Sequence, residues 1–150
     1  MCCKNEKLLH LSEIRSGYIF LLDLDEFKEI NDNMGHAAGD ELLKQVANRF
    51  SRVTPAGGQL ARLGGDEFGL LAKVDQQEAT ELAQALLATL SYPISLQMGQ
   101  VRVKVSIGFA AIEQNIDSSD CLRRADLAMY EAKRSGSGQR IWDGHIENIG

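Results

Sequence analysis

A chain of 150 residues, 44% hydrophobic and 25% charged, suits one domain with a single sizeable core. Its net charge of −5 does not supply the cationic field that general nucleic-acid or anionic-membrane binding needs, so neither partner is expected. No apolar run approaches the roughly 20 residues of a membrane span, no signal peptide is visible, and the odd set Cys2, Cys3 and Cys121 reads as reduced thiols; the expected compartment is the cytoplasm.

In chain order, Leu8, Leu9 and Leu11 predict a short helix over Asn5 to Ile14, broken by Gly17. Tyr18 to Leu22 is a continuous apolar run ending in Asp23, the pattern of a strand buried on both faces. A short helix is predicted over Asp25 to Asn33, closed by Gly35, then an amphipathic helix over Ala37 to Val53. Gln59 to Leu63 and Phe68 to Ala72 read as two strands around a tight turn at Gly64-Gly65-Asp66-Glu67. Gln76 to Leu90 is a second long helix with Ala79, Leu82, Ala83, Leu86 and Leu90 inward. Val101 to Ala111 alternates Val, Val, Val, Ile and Phe with Arg102, Lys104, Ser106 and Gly108, which predicts one strand with one buried and one largely polar face. Ser118, Ser119 and Asp120 offer caps for a third long helix ending near Gly136, and Gln139 to Trp142 reads as a last strand. Hairpin-joined strands with helices on one side predict a two-layer α+β domain covering 1–150.

Asp23 ends an otherwise apolar strand, and Asp66 and Glu67 sit in a hairpin turn. Side by side, the two strands bring three carboxylates to one sheet edge. Carboxylates so placed repel unless a cation neutralises them, and hard oxygen ligands suit Mg²⁺, which fills its remaining positions with water and phosphate oxygens. Spacing alone favours the plainer reading, a strand-end Asp and a solvated turn. The adjacent glycines are explained equally by the turn itself.

The residues taken together carry more. Ala61-Arg62-Leu63-Gly64-Gly65-Asp66-Glu67-Phe68 resembles the signature loop of the GGDEF family of diguanylate cyclases. Leu22 to Asp32 resembles that family's metal-and-substrate motif, and Gly35-His36 and Gly39-Asp40 continue it. Val105 to Ala110 and Ala125 to Lys133 resemble its late strand and last helix. The resemblance covers nearly the whole chain. It implies a palm-like fold similar to nucleotide cyclases, with a mixed central sheet and helices packed around it. It implies that Asp23 and Asp66 hold Mg²⁺ (Mn²⁺ being the alternative), with the Leu24 carbonyl and Glu67 in support. Asn31 and Asp40 would read guanine, whose N1–H and N2–H₂ pair a carboxylate accepts and adenine lacks. His36 would line the nucleotide pocket. Lys28 and Lys133 would neutralise the triphosphate, and the amides near Asp25 to Phe27 at a helix start would favour phosphate. The implied reaction joins two GTP molecules into cyclic di-GMP with loss of pyrophosphate, Asp66, Glu67 and Lys28 being the implied catalytic residues. One domain binds one GTP, so the implied partner is a second copy of the chain; an adjoining sensor or EAL phosphodiesterase domain is a further implied partner.

Three departures stand out. The family's usual opening, Asp-x-Leu-Thr-Gly-Leu-x-Asn-Arg, is matched only by Asn5, so the N-terminal edge is expected to be truncated or divergent. The basic residue usual four positions after Lys133 is Ser137. Where the family carries an inhibitory Arg-x-x-Asp product site, this chain has Pro55 and Gly58, which offer neither guanidinium nor carboxylate.

Overall fold

The computed structural model describes residues 16–144; the helix expected over 5–14 lies outside them. Strand β1 (Gly17–Asp25) leads through Glu26 into helix α1 (Phe27–Met34), and helix α2 (His36–Val53) follows the Gly35 turn. Strands β2 (Gln59–Gly64) and β3 (Glu67–Ala72) form the hairpin, followed by helix α3 (Gln76–Ala88). Strands β4 (Ile94–Leu96), β5 (Gly99–Val101) and β6 (Lys104–Ile112), helix α4 (Ser118–Ser135) and strand β7 (Gln139–Ile141) complete the order. The main sheet has five strands in the order β2-β3-β1-β6-β7. Its pairs are antiparallel except β6 with β7, which run parallel. This is the expected α+β class with a mixed sheet and helices around it.

The apolar run of β1 places it second from neither edge but at the centre, where both faces need cover. Tyr18, Phe20, Leu22 and Leu24 face a large core shared with α2 and α3, and Ile19 and Leu21 face a smaller one shared with α4. The helices therefore lie on both faces of the sheet, not on one side as the hairpin pattern predicts. Phe20 stacks on Phe109 at 5.1 Å between ring centres, and Phe50 meets Phe68 edge-on at 5.4 Å. Truncating any one of these buried rings to Ala is expected to cost about 3–5 kcal/mol.

The strand predicted over Val101 to Ala111 is two elements. Its first residue belongs to a separate β4–β5 hairpin, and β6 starts only at Lys104. The alternation misleads because Val103 remains buried in the same core across the bend. The face expected to be polar is also covered: Ser106 is 2% exposed, and a Cβ on Gly108 would overlap the backbone of Ala125 and Met129 in α4. Gly108 lets α4 lie directly on β6. The α4 cap is Asp117, one residue before the expected candidates, while α3 opens with a reciprocal Asp75–Glu78 capping box.

Candidate active site

Strand β1 extends two residues past Asp23, so period-two alternation brings Asp23 and Asp25 to the same, α4-facing side. Asp23 lies opposite Glu67 in the β1–β3 register. Beyond that pair the Leu24 N–H donates to the Asp66 carbonyl at 3.0 Å, which closes the end of β1 against the signature turn. Asp66 is thereby held beside Asp23. Burial, and then the charge and hydrogen bonding of Asp23, push the Asp66 carboxyl above its ordinary range, while backbone hydrogen bonding and Lys133 pull the other way.

The counter-charge arrives from the far end of the chain. Lys133, near the C-terminus of α4, donates from Nζ to Asp23 Oδ2 at 2.5 Å and lies 3.8 Å from Asp25 Oδ1. The hydrogen bond to Asp23 raises the Lys133 pKa; burial opposes it, and the charges of Asp23, Asp25 and Asp66 add to it. Asp25 is held in turn by the Ser106 hydroxyl, which donates to its Oδ1 at 3.0 Å. Asp25 and Ser106 are not singled out by sequence reasoning, which puts Asp25 at a helix start and Ser106 on a largely polar strand face. The signal that identifies them is their register: Asp23 lies opposite Ser106 and Asp25 opposite Lys104.

A short corner builds the second cluster. The Gly35 N–H donates to the Asn31 carbonyl at 2.9 Å, turning α1 into α2, and the Asn31 and His36 side chains meet at 2.9 Å between Nδ2 and Nδ1. A Cβ on Gly39 would overlap Asn31 Oδ1, so glycine is what allows α2 to approach this amide. Asp40 is exposed one position later, on the rim of a groove of about 400 Å³ walled by Leu43, Leu60 and Phe68, with Lys44 and Arg62 at its edges. Asn31 and His36 do not line that groove. Lys28 is exposed on α1. Between the two clusters sits Glu26, the one non-glycine residue with positive φ among the described residues, at φ 60° and ψ 21°. This left-handed residue swings the chain from β1 into α1.

Among the described residues no group of three or more His, Cys, Asp or Glu side chains forms a metal-holding cluster. The Asp23–Asp66 pair nevertheless fits a hard divalent ion. Two carboxyls are held together, the Asp66 pKa raised by burial and then by Asp23, and Mg²⁺ needs only one or two protein carboxylates. No helix of the described residues is long and apolar enough to cross a membrane.

Residues 5–139 match the family model described as "Diguanylate cyclase, GGDEF domain". The signaling protein YkoW of Bacillus subtilis is 38% identical over 148 residues, which are 95% of this chain and 18% of that protein. Cyclic di-GMP phosphodiesterase PdeR of Escherichia coli is 39% identical over 87% of this chain and 20% of its own length. Diguanylate cyclase TpbB of Pseudomonas aeruginosa is 39% identical over 81% of this chain and 29% of its own. The chain thus spans less than a third of these curated relatives. The solved GGDEF domain of TpbB superimposes with a TM-score of 0.84 at 34% identity, covering 97% of this chain and 88% of that one.

Proposed function

This chain belongs to the diguanylate cyclase GGDEF domain family, and from that premise we propose that it condenses two GTP molecules into cyclic di-GMP, as a pair of copies facing each other. The observation that carries the reading is the meeting of Asp23, Asp66 and Lys133 at the end of β1. Asp23 and Asp66, with the Leu24 carbonyl, would hold Mg²⁺ and Glu67 would support them. A bound divalent ion would lower the pKa of the attacking 3′-hydroxyl and screen the phosphates. Asn31 and Asp40 orient guanine, His36 borders the nucleotide, and Lys28 and Lys133 draw the triphosphate toward the carboxylates. Each 3′-oxygen forms a bond to the α-phosphorus of the other nucleotide, the bond to the β-phosphate bridging oxygen breaks, and two pyrophosphates leave. The hydroxyl proton passes to a carboxylate or water, with Asp66 the acceptor that the family resemblance implies.

A second reading, a GTP-binding regulatory module attached to a phosphodiesterase, draws support from Ser137, which stands where the resemblance places a basic residue, and from the likeness to PdeR. One assay separates them. Concentrated protein with GTP and Mg²⁺ should yield cyclic di-GMP, and specific activity should fall on dilution because each chain supplies half of a two-nucleotide site. GTP uptake with no product at any protein concentration would establish the regulatory reading instead.

A further inference from the structure

Asp66 lies in the short loop, Gly65-Asp66, that joins β2 to β3. Packing does not fix that loop. A Cβ placed on Gly64 or on Gly65 would meet nothing within 4 Å, and Gly65 has a φ of 27°, in the left-handed region that glycine tolerates. The ladder beneath it is irregular as well. Arg62 pairs with Phe68 and Gly64 with Glu67, which leaves Leu63 as an extra residue, a β-bulge, buried in the smaller core. The Asp66 carboxyl is therefore placed only as well as the peptide planes on either side of it are held.

Each plane is held by a hydrogen bond to its carbonyl. The Gly65 carbonyl, in the plane that enters Asp66, accepts from Arg62 Nε at 3.1 Å. The Asp66 carbonyl, in the plane that leaves it, accepts from Leu24 N–H at 3.0 Å. A residue's soft dihedrals are the rotations between its flanking planes, so fixing both planes fixes φ and ψ of Asp66 and with them the direction in which its side chain leaves. The Leu24 bond comes with the end of β1. The Arg62 bond comes from a side chain and can be removed without touching the sheet. Arg62 is exposed, at the edge of the groove that carries Asp40, and forms no ion pair among the described residues. Neither burial nor a charge partner accounts for where it lies; the bond to the loop does.

We propose that Arg62 is a positioning residue: its Nε–H locks the peptide plane before Asp66 and so sets the Asp66 carboxyl against Asp23. The N–H does this, and the charge does not. The consequence for turnover rests on the function proposed above, whereas the hold on Asp66 stands apart from it.

Two variants of the whole chain separate the N–H from the charge. Glutamine carries an amide N–H at the same number of bonds from the backbone as arginine Nε and has no charge; lysine keeps the charge and has a methylene at that position. The three-bond coupling between the Asp66 amide proton and its α-proton, measured by NMR on labelled protein, reports φ of Asp66 without nucleotide or metal. Arg62→Lys should move that coupling toward a rotationally averaged value and lower kcat about tenfold, with the Michaelis constant for GTP within about twofold and the melting temperature unchanged. Arg62→Gln, the conservative variant for the hydrogen bond, should keep the wild-type coupling and a kcat within about threefold. The reverse pattern, wild-type behaviour in Arg62→Lys and loss in Arg62→Gln, would overturn the proposal in favour of a charge acting on the nucleotide, and an Asp66 coupling identical in all three chains would overturn it outright. A coupling that responds to Arg62→Lys in a chain whose wild type makes no cyclic di-GMP would uphold the hold on Asp66 and refute the cyclase reading alone.

Discussion

At the α1–α2 corner, Asn31 and His36 meet across five positions of sequence; at the carboxylate edge, Lys133 and Asp23 meet across 110. The corner is held by one glycine turn and one close helix approach. The edge depends on the β1–β3 and β1–β6 registers and on the seat of α4 against β6. The two regions therefore answer to different perturbations. A local change disturbs the Asn31–His36 pair and leaves the charges in place, whereas anything that slides a strand or lifts α4 separates Lys133 from both aspartates. Charged groups are concentrated where the fold is globally determined, and the proposed base-reading residues where it is locally determined.

The largest effect that tests this contrast is at the edge. Asp66→Asn should lower cyclic di-GMP formation by at least about a hundredfold while the chain keeps its fold, because it removes a preorganised charge from the reacting centre. Near-normal turnover, measured by chromatographic detection of product, would place the reacting centre elsewhere. At the other region, Asp40→Ala should weaken GTP by about ten- to a hundredfold, the cost of leaving guanine's donor pair without its charged acceptor, and leave ATP nearly unchanged. Equal losses for both nucleotides, or a fall in melting temperature alone, would reduce Asp40 to a helix-start residue.

Two glycines separate the regions by packing alone. Gly108→Ala should cost about 1–3 kcal/mol of stability, read by denaturant titration, and should depress turnover by moving α4 and with it Lys133. Gly39→Ala should cost a similar amount but raise the Michaelis constant for GTP, since the atom it strikes is the Asn31 amide oxygen. A turnover defect in Gly39→Ala with unchanged GTP affinity would break the division.

The smallest expected effect is a pH dependence. Asp66 holds its proton more tightly in the native chain than in the unfolded one, so its ionisation subtracts stability as pH rises through its elevated native value. Below the unfolded value the penalty is absent. In the absence of divalent ions, Asp66→Asn should melt at or slightly above the wild-type temperature near neutral pH, and the difference should close as pH falls through the carboxylate range. Adding Mg²⁺ should raise the wild-type melting temperature and leave the variant's unchanged.

Much of the molecule was readable one dimension at a time. The apolar run of Tyr18 to Leu22, the amphipathic stripe of α2 and the turn at Gly64-Gly65 each encode their element through local periodicity and backbone freedom. The signature residues, and the spacing that links Asn31, His36 and Asp40, lie in contiguous segments, so the candidate site could be listed residue by residue. What escaped was set by neighbours in space. The β4–β5 hairpin was hidden because alternation continues through Arg102 and Val103, and a period-two pattern marks which side chains are buried without marking which strand they pair with. Ser106 and Gly108 read as solvent-facing because a hydroxyl and a missing side chain look polar in sequence; they are buried because a helix that begins ten positions after Gly108 folds back over them. Asp25 joined the site only when β1 proved to run two residues past Asp23, its end secured by pairing with Lys104. The amino-acid sequence determined by itself the inventory of charges and the elements that carry them, since those follow from short-range sterics and burial preference. The tertiary structure alone decided that Lys133 neutralises Asp23 and that Ser106 holds Asp25, because electrostatic interactions act through distances that only strand register and helix packing set.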